Sequence, residues 1–141
     1  MKLTIFNKSN SGNNYVRTGI RSISISRTNN SIIMSQTLKK ELNLTGKHTV
    51  CFAKDEDSKA GDWFISFSGD ENGFELREKK NGGFAKGYDS SLYFCNKFMA
   101  SKLLDAVKAN KSATFLVSEK PVQIDGRDWF KIVLSKPLRM N

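Results

Sequence analysis

The chemistry that this sequence offers lies in its positively charged and aromatic side chains. Lysine and arginine number 23 against 14 aspartate and glutamate residues, a formal net charge of +9 at pH 7. An excess of this size attracts polyanions and favours nucleic acid over neutral metabolites. The same charge would also suit an acidic protein partner, or would serve solubility alone. DNA binding is therefore the first expectation, and protein interaction is the second.

The basic residues suited to phosphate binding flank one predicted strand, occupy a short predicted helix and line a central hairpin. Lysine and arginine pair with phosphates, and arginine can also bind guanine through two hydrogen bonds. Among the aromatic residues near them, Phe84, Tyr88 and Tyr93 could stack on unpaired bases. The predicted nucleic-acid-binding residues are Arg17, Arg21, Arg27, Lys39, Lys40, Arg77, Lys79, Lys80, Phe84 and Lys86.

Catalytic and metal-binding patterns are missing from the sequence. His48 is the single histidine and has no partner at ligand spacing, and no Cys-x-x-Cys pair occurs. No nucleophile elbow, phosphate-binding loop or dinucleotide fingerprint is present. We therefore expect a protein that is not an enzyme and binds neither cofactor nor metal. Cys51 and Cys95 lie in apolar segments, which predicts small buried side chains.

Apolar residues at every second position predict that the chain is rich in strands. Ile23 and Ile25 alternate with serines, a pattern typical of a half-buried strand. Similar patterns predict strands over residues 32–34, 48–53, 62–68, 74–80, 88–95, 113–118 and 129–134.

Two short helices interrupt the strands. Ser35 is the predicted N-cap of a helix over residues 37–42, and Asn96 that of a helix over 97–109. This combination predicts an α+β fold, a strand-rich single domain covering residues 1–141. The polar segment 7–14 is predicted to be a mobile loop.

The order strand, helix, strand, strand occurs twice, which predicts an internal pseudo-repeat. Residues 31–35 (SIIMS) align with residues 91–95 (SLYFC). Further on, Asp-Trp-Phe occurs at residues 62–64 and again at 128–130. The two predicted repeats cover about residues 20–68 and 74–135.

The segment LKKELNL at residues 38–44 resembles the basic helix of the AbrB/MraZ group of swapped-hairpin DNA-binding domains. The chain departs from that pattern at Ser35, where the family has proline. This resemblance implies a barrel-like fold, duplex DNA binding through Arg21, Arg27, Lys39 and Lys40, and a role in transcription regulation. It also implies a homodimer, because two chains of that family share one barrel.

A second resemblance concerns element order. Four strands between residues 48 and 95, followed by one longer helix, are similar to the Whirly and Pur-alpha class of single-stranded-DNA binders. That resemblance implies a curved sheet as the binding surface and places Arg77, Lys79 and Phe84 at its centre. A third interpretation, without nucleic acid, is a protein-interaction or structural module of a mobile element.

The sequence predicts a cytoplasmic protein without a membrane partner. Residues 1–12 lack the apolar core of a signal peptide. No apolar run approaches the roughly 18 residues that a membrane-spanning helix requires.

Overall fold

A computed structural model of the chain describes residues 2–3, 20–57, 61–68, 71–79 and 91–141. The predictions for Arg17, Lys80, Phe84, Lys86 and the loop 7–14 lie outside these residues. In chain order the elements are β1 (Ser22–Ser26), β2 (Ser31–Met34), α1 (Gln36–Glu41), β3 (Thr49–Lys54), β4 (Trp63–Ser68), β5 (Phe74–Glu75), β6 (Arg77–Lys79), β7 (Ser91–Cys95), α2 (Lys97–Ala106), β8 (Ser112–Val117), β9 (Val122–Ile124), β10 (Arg127–Val133) and β11 (Arg139–Met140).

The strands form one antiparallel sheet that curls back towards its own starting edge. Its strand order is β5-β3-β4-β10-β8-β1-β2-β7-β6, with β9 added to β10 and β11 added to β8. Leu76 alone separates β5 from β6, so these two strands are halves of one bent segment. The first half pairs with β3 and the second with β7, at opposite ends of the path. The sheet is therefore a nearly closed barrel.

Alternation along each strand directs one set of side chains inward. In β1, Ile23 and Ile25 are buried while Ser24 between them faces outward. The inward residues of the other strands join the same core, which includes Ile32, Met34, Val50, Ile65, Leu92, Phe115, Val117 and Ile132. Burial of these apolar side chains is the main driving force that holds the curled sheet together.

The two helices lie at opposite ends of β1. The backbone N–H of Ser35, before α1, donates to the carbonyl of Ser22 at the start of β1. The backbone N–H of Asn96, before α2, donates to the carbonyl of Asn30, in the turn that follows β1. Both predicted N-caps are confirmed, because their side chains accept hydrogen bonds from Leu38 and Met99. In the described part of the chain, neither helix is long enough or apolar enough to cross a bilayer.

The expected class, a strand-rich α+β domain with two short helices, is confirmed, and one hairpin was missed. No strand is predicted between residues 118 and 129, but Val122–Ile124 is a strand paired with β10. The turn between them has positive φ at both Asp125 (53°) and Gly126 (77°). Asp-Gly is the residue pair that such a two-residue turn favours, since both positions need left-handed backbone. The single strand predicted over residues 74–80 is two short strands, β5 and β6, separated at Leu76.

The double Asp-Trp-Phe motif does not mark equivalent positions in the fold. Trp63 faces the core and is 7% exposed. Trp129 faces outward, because its strand neighbour Phe130 occupies the core. A shift of one residue in a strand turns every side chain to the other face. The order strand, helix, strand, strand does recur, but this motif does not establish an internal repeat.

Candidate nucleic-acid interface

Outward side chains of six neighbouring strands line up across the sheet. The register pairs Thr114 with Arg139 of β11 and with Ser24 of β1. It continues through Ile33 of β2 and Tyr93 of β7 to Arg77 of β6. Directly paired residues of antiparallel strands have their side chains on the same face. We call these six residues the outer row: Arg139, Thr114, Ser24, Ile33, Tyr93 and Arg77.

The outer row has an arginine at each end, with Tyr93 and Ile33 next to Arg77 and two hydroxyl side chains next to Arg139. Arg77 and Arg139 are exposed, whereas Tyr93 is partly exposed beside the exposed side chain of Ile33. Between Ile33 and Arg139, the hydroxyls of Ser24 and Thr114 lie 3.1 Å apart and share a hydrogen bond. Five strand spacings of about 4.8 Å each give the row a length of about 24 Å along the surface.

Small hydroxyl side chains flank the outer row and project only a short distance from the sheet. Ser26 pairs with both Ser31 and Ser112 in the neighbouring row.

Cys95 pairs with Ser31 in that row and is exposed, so the prediction of a buried side chain is wrong for it. The reason is alternation, since Phe94 occupies the core and turns Cys95 outward. Cys51 is partly buried, and both thiols are free.

Arg21, predicted to bind DNA, lies inside the protein next to α1. It is 6% exposed, and its guanidinium carbon lies 4.8 Å from the ring centroid of Phe130. Its Nη1 donates to the backbone carbonyl of Glu119 at 3.3 Å, and its Nε lies 3.4 Å from Oε2 of Glu41. Glu41 is the last residue of α1. Arg21 therefore connects β1, β10 and α1 rather than facing the outer surface.

Arg27, at the other end of β1, holds the carboxyl-terminal end of α2. Its Nε donates to the carbonyl of Asn110 at 3.0 Å, and its Nη2 donates to the carbonyl of Ala109 at 3.1 Å. Nη2 also donates to the carboxylate of Asp105. Arg27 thus ties the last turn of α2, through Asp105, to the segment that follows the helix.

The remaining predicted residues separate into two groups. Lys39 and Lys40 occupy the last turn of α1, at one end of β1 and away from the outer row. Arg77 lies in the outer row, and the backbone of Lys79 pairs with Ser91 in the adjoining row. The structure thus brings together the sheet residues of the prediction and not its helix residues.

Sequence reasoning missed Arg139 and a set of residues on β10. Arg127, Trp129 and Lys131 alternate with the buried Phe130 and Ile132, so all three face outward. The signal was present in the sequence as a basic, aromatic, basic pattern at every second residue.

A separate groove of about 690 Å³ lies at the barrel end where the β3–β4 connection approaches α2. Its two lysines lie beside carboxylates, with Lys131 Nζ 3.5 Å from Asp62 Oδ1 and Lys54 Nζ 4.0 Å from Glu56 Oε2. In the residues that the structure describes, no group of three or more His, Cys, Asp or Glu is placed to hold a metal ion.

In comparisons with known proteins, the chain matches no family model, no curated protein and no solved structure. The two family resemblances stated above therefore stay predictions, and the function has to be inferred from the geometry of the chain itself.

Proposed function

We propose that this protein is a non-enzymatic nucleic-acid-binding protein whose outer row binds a single strand. The observation that carries the proposal is the outer row itself, in which Tyr93 and Ile33 lie between Arg77 and Arg139 on one face. Guanidinium groups bind phosphates, and an aromatic ring stacks on any unpaired base.

The shape of the surface favours a single strand over a duplex. The outer face of a curled sheet is convex, so a rigid duplex would touch it over a short length, whereas a flexible strand can follow it. A tyrosine ring also needs a base with an open face, and duplex bases are stacked on one another. The net charge of +9 adds a general attraction for either form.

Two of the four residues that the duplex interpretation assigns to DNA binding make contacts within the protein. Arg21 and Arg27 are engaged in holding α1 and α2, which leaves Lys39 and Lys40 on a helix of six residues. One chain supplies every strand of the nearly closed path described here, so the outer row lies within a single chain. These contacts support the proposed site on the sheet.

A competition experiment tests the proposal. A labelled oligothymidine is displaced by unlabelled single strand or by duplex of the same length at moderate salt. We expect the single strand to compete better, and binding to weaken with salt at a slope of about −0.7 per phosphate contact. Arg77→Ala with Tyr93→Ala should lower single-strand affinity at least tenfold, since stacking contributes about 1–3 kcal/mol per base.

Two double variants serve as controls. Phe98→Ala with Lys102→Ala removes an exposed aromatic ring and a lysine 5.4 Å from its centroid, at a site on α2 outside the outer row. It changes the net charge by the same amount and should leave single-strand affinity within twofold. Lys39→Ala with Lys40→Ala should likewise have little effect.

Other results would redirect the assignment. Preference for duplex, lost in the Lys39/Lys40 variant, would support the swapped-hairpin interpretation. Failure to bind any DNA or RNA at low salt would contradict nucleic-acid binding. Co-purification of an acidic protein would then support the interaction-module alternative.

A further inference from the structure

The outer face of β10 carries a second set of basic and aromatic side chains. Arg127, Trp129 and Lys131 lie on one face at intervals of two residues, about 6.8 Å along a strand. The guanidinium carbon of Arg127 lies 5.8 Å from the ring centroid of Trp129. Basic and aromatic groups in alternation are the arrangement that contacts phosphates and bases in turn.

The β9–β10 hairpin surrounds the Trp129 ring with aliphatic side chains. Val122 lies directly opposite Trp129, and Ile124 lies opposite Arg127. Both aliphatic side chains are exposed, at 47% and 44%. Together with the partly exposed ring they form an apolar platform that no described residue covers.

The acidic residue in the paired part of this hairpin, Asp128, is turned away from the platform. Asp128 pairs with Gln123, and both lie on the opposite face, since their neighbours Val122, Arg127 and Trp129 share the platform face. The amide nitrogen of Gln123 donates to Oδ1 of Asp128 at 3.2 Å. Among the paired residues of the hairpin, the platform face therefore carries Arg127 and no carboxylate, and Asp125 lies in the turn.

The platform is continuous with the outer row. Val133, the next outward residue of β10 after Lys131, pairs with Leu116 of β8. Leu116 is exposed and stands two residues from Thr114, a member of the outer row. The outward face of β10 therefore leads from the platform past Lys131 to the apolar pair Val133 and Leu116, next to the outer row. The ammonium of Lys131, on the same face, is 3.5 Å from the Asp62 carboxylate.

We infer that Trp129 is a second base-stacking position for the same nucleic-acid strand, with Arg127 binding the adjacent phosphate. This inference rests on the proposed single-strand function and extends the site from the outer row onto the hairpin. The aliphatic rim and the ring accept any base by its face, so the position discriminates unpaired from paired bases and not one sequence from another.

Tryptophan fluorescence tests the inference directly, because the chain has two tryptophans in different environments. Trp63 faces the barrel core and is 7% exposed, whereas Trp129 is partly exposed on the platform. Oligothymidines of about 4 to 16 nucleotides, the range of sites on other single-strand-binding folds, are titrated into the wild-type protein and Trp129→Phe. We expect quenching in the wild-type protein and none in Trp129→Phe.

Affinity gives a second readout. Trp129→Ala should bind the longer oligothymidines about tenfold more weakly, while Trp129→Phe keeps most of the affinity because a phenyl ring still stacks. Arg127→Ala should reduce the salt slope by about 0.7, the contribution of one phosphate contact. Both positions face outward, so the far-UV circular dichroism spectrum should not change.

The outcomes separate the two proposals. If oligothymidines bind but the wild-type fluorescence is not quenched and Trp129→Ala binds as tightly as wild type, the inference is overturned and the outer-row proposal stands. If the wild-type protein binds no oligonucleotide, both fail.

Discussion

At the scale of single residues, Arg21 and Arg27 have the same predicted role but lie in different environments. Arg27 is partly exposed, and its guanidinium donates to Asp105 of α2 and to the carbonyl of Ala109 just after that helix. Arg21 is buried, and its Nη2 has no hydrogen-bond partner among the described residues. A buried cation with an unsatisfied donor costs free energy that its packing and its one ion pair must offset. Glu41, the partner, is 47% exposed in its side chain, so that pair contributes little.

This arrangement predicts that the stem of Arg21 matters more for stability than its charge does. Arg21→Met keeps apolar contact with Phe130 and removes the buried charge, so the free energy of unfolding should stay the same or rise. Arg21→Ala loses the packing as well and should lower it by about 2 kcal/mol. Urea denaturation followed by circular dichroism measures both.

Glu41→Gln is the control and should change stability by less than about 0.5 kcal/mol, as expected for a solvent-exposed partner. Equal destabilisation by Arg21→Met and Arg21→Ala would show that the charge, and not the packing, is what the fold uses. Loss of oligonucleotide affinity in a stable Arg21→Met protein would argue against a purely structural role.

At the scale of elements, the two helices begin with caps that carry different numbers of contacts. The Ser35 hydroxyl accepts from the N–H of Leu38 at 3.2 Å and from that of Ser22 at 3.0 Å, and donates to the carbonyl of Ile20 at 3.2 Å. The Asn96 side chain accepts from the N–H of Met99 at 2.9 Å. Ser35 thus caps α1 and also attaches it to β1, whereas the Asn96 side chain serves the helix.

We therefore expect Ser35→Ala to cost more than Asn96→Ala. Loss of an N-cap alone costs about 1 kcal/mol, which is the value expected for Asn96→Ala. Ser35→Ala also leaves the Ser22 N–H without its partner, so about 2 kcal/mol is expected. Thermal and urea unfolding measure the difference, with Ser101→Ala in the middle of α2 as a control that changes little. A smaller effect at Ser35 than at Asn96 would contradict the additional role.

At the scale of the whole molecule, aromatic side chains join the two ends of the sheet path. The rings of Phe74 and Phe94 stack with centroids 4.9 Å apart and planes 8° apart. Phe52 contacts both, at 6.3 and 6.1 Å. These residues come from β5, β7 and β3, the strands that meet where the barrel nearly closes. Residues from both halves of the chain therefore share one continuous core.

A shared core predicts that the chain unfolds as one unit. In Trp129→Phe, tryptophan fluorescence reports on Trp63 in the first half of the chain, while far-UV circular dichroism reports on all strands and both helices. Urea transitions from the two probes should coincide in midpoint and slope. Two separate transitions would mean that residues 20–68 and 74–135 are independently stable, contrary to the single-domain prediction.

Local patterns in the sequence determined the class of fold and most of its elements. Alternation of Ile23 and Ile25 with serines, and the caps at Ser35 and Asn96, are properties of neighbouring residues, which is why strands and helices could be placed within a few positions. The Asp-Gly turn at residues 125–126 was equally readable and was overlooked. The excess of basic residues pointed to a polyanion, but a total charge does not say which side chains share a surface.

The site itself was decided by tertiary structure. Thr114, Ser24, Ile33, Tyr93 and Arg77 come from five strands, and only the register between those strands places them side by side. Tertiary packing also buried Arg21 but left Arg27 partly exposed, although both arginines flank the same strand. It turned Trp129 outward while Trp63 faces the core, although both belong to an Asp-Trp-Phe motif. Register depends on which apolar set fills the interior, and that is settled by contacts between residues far apart in the chain.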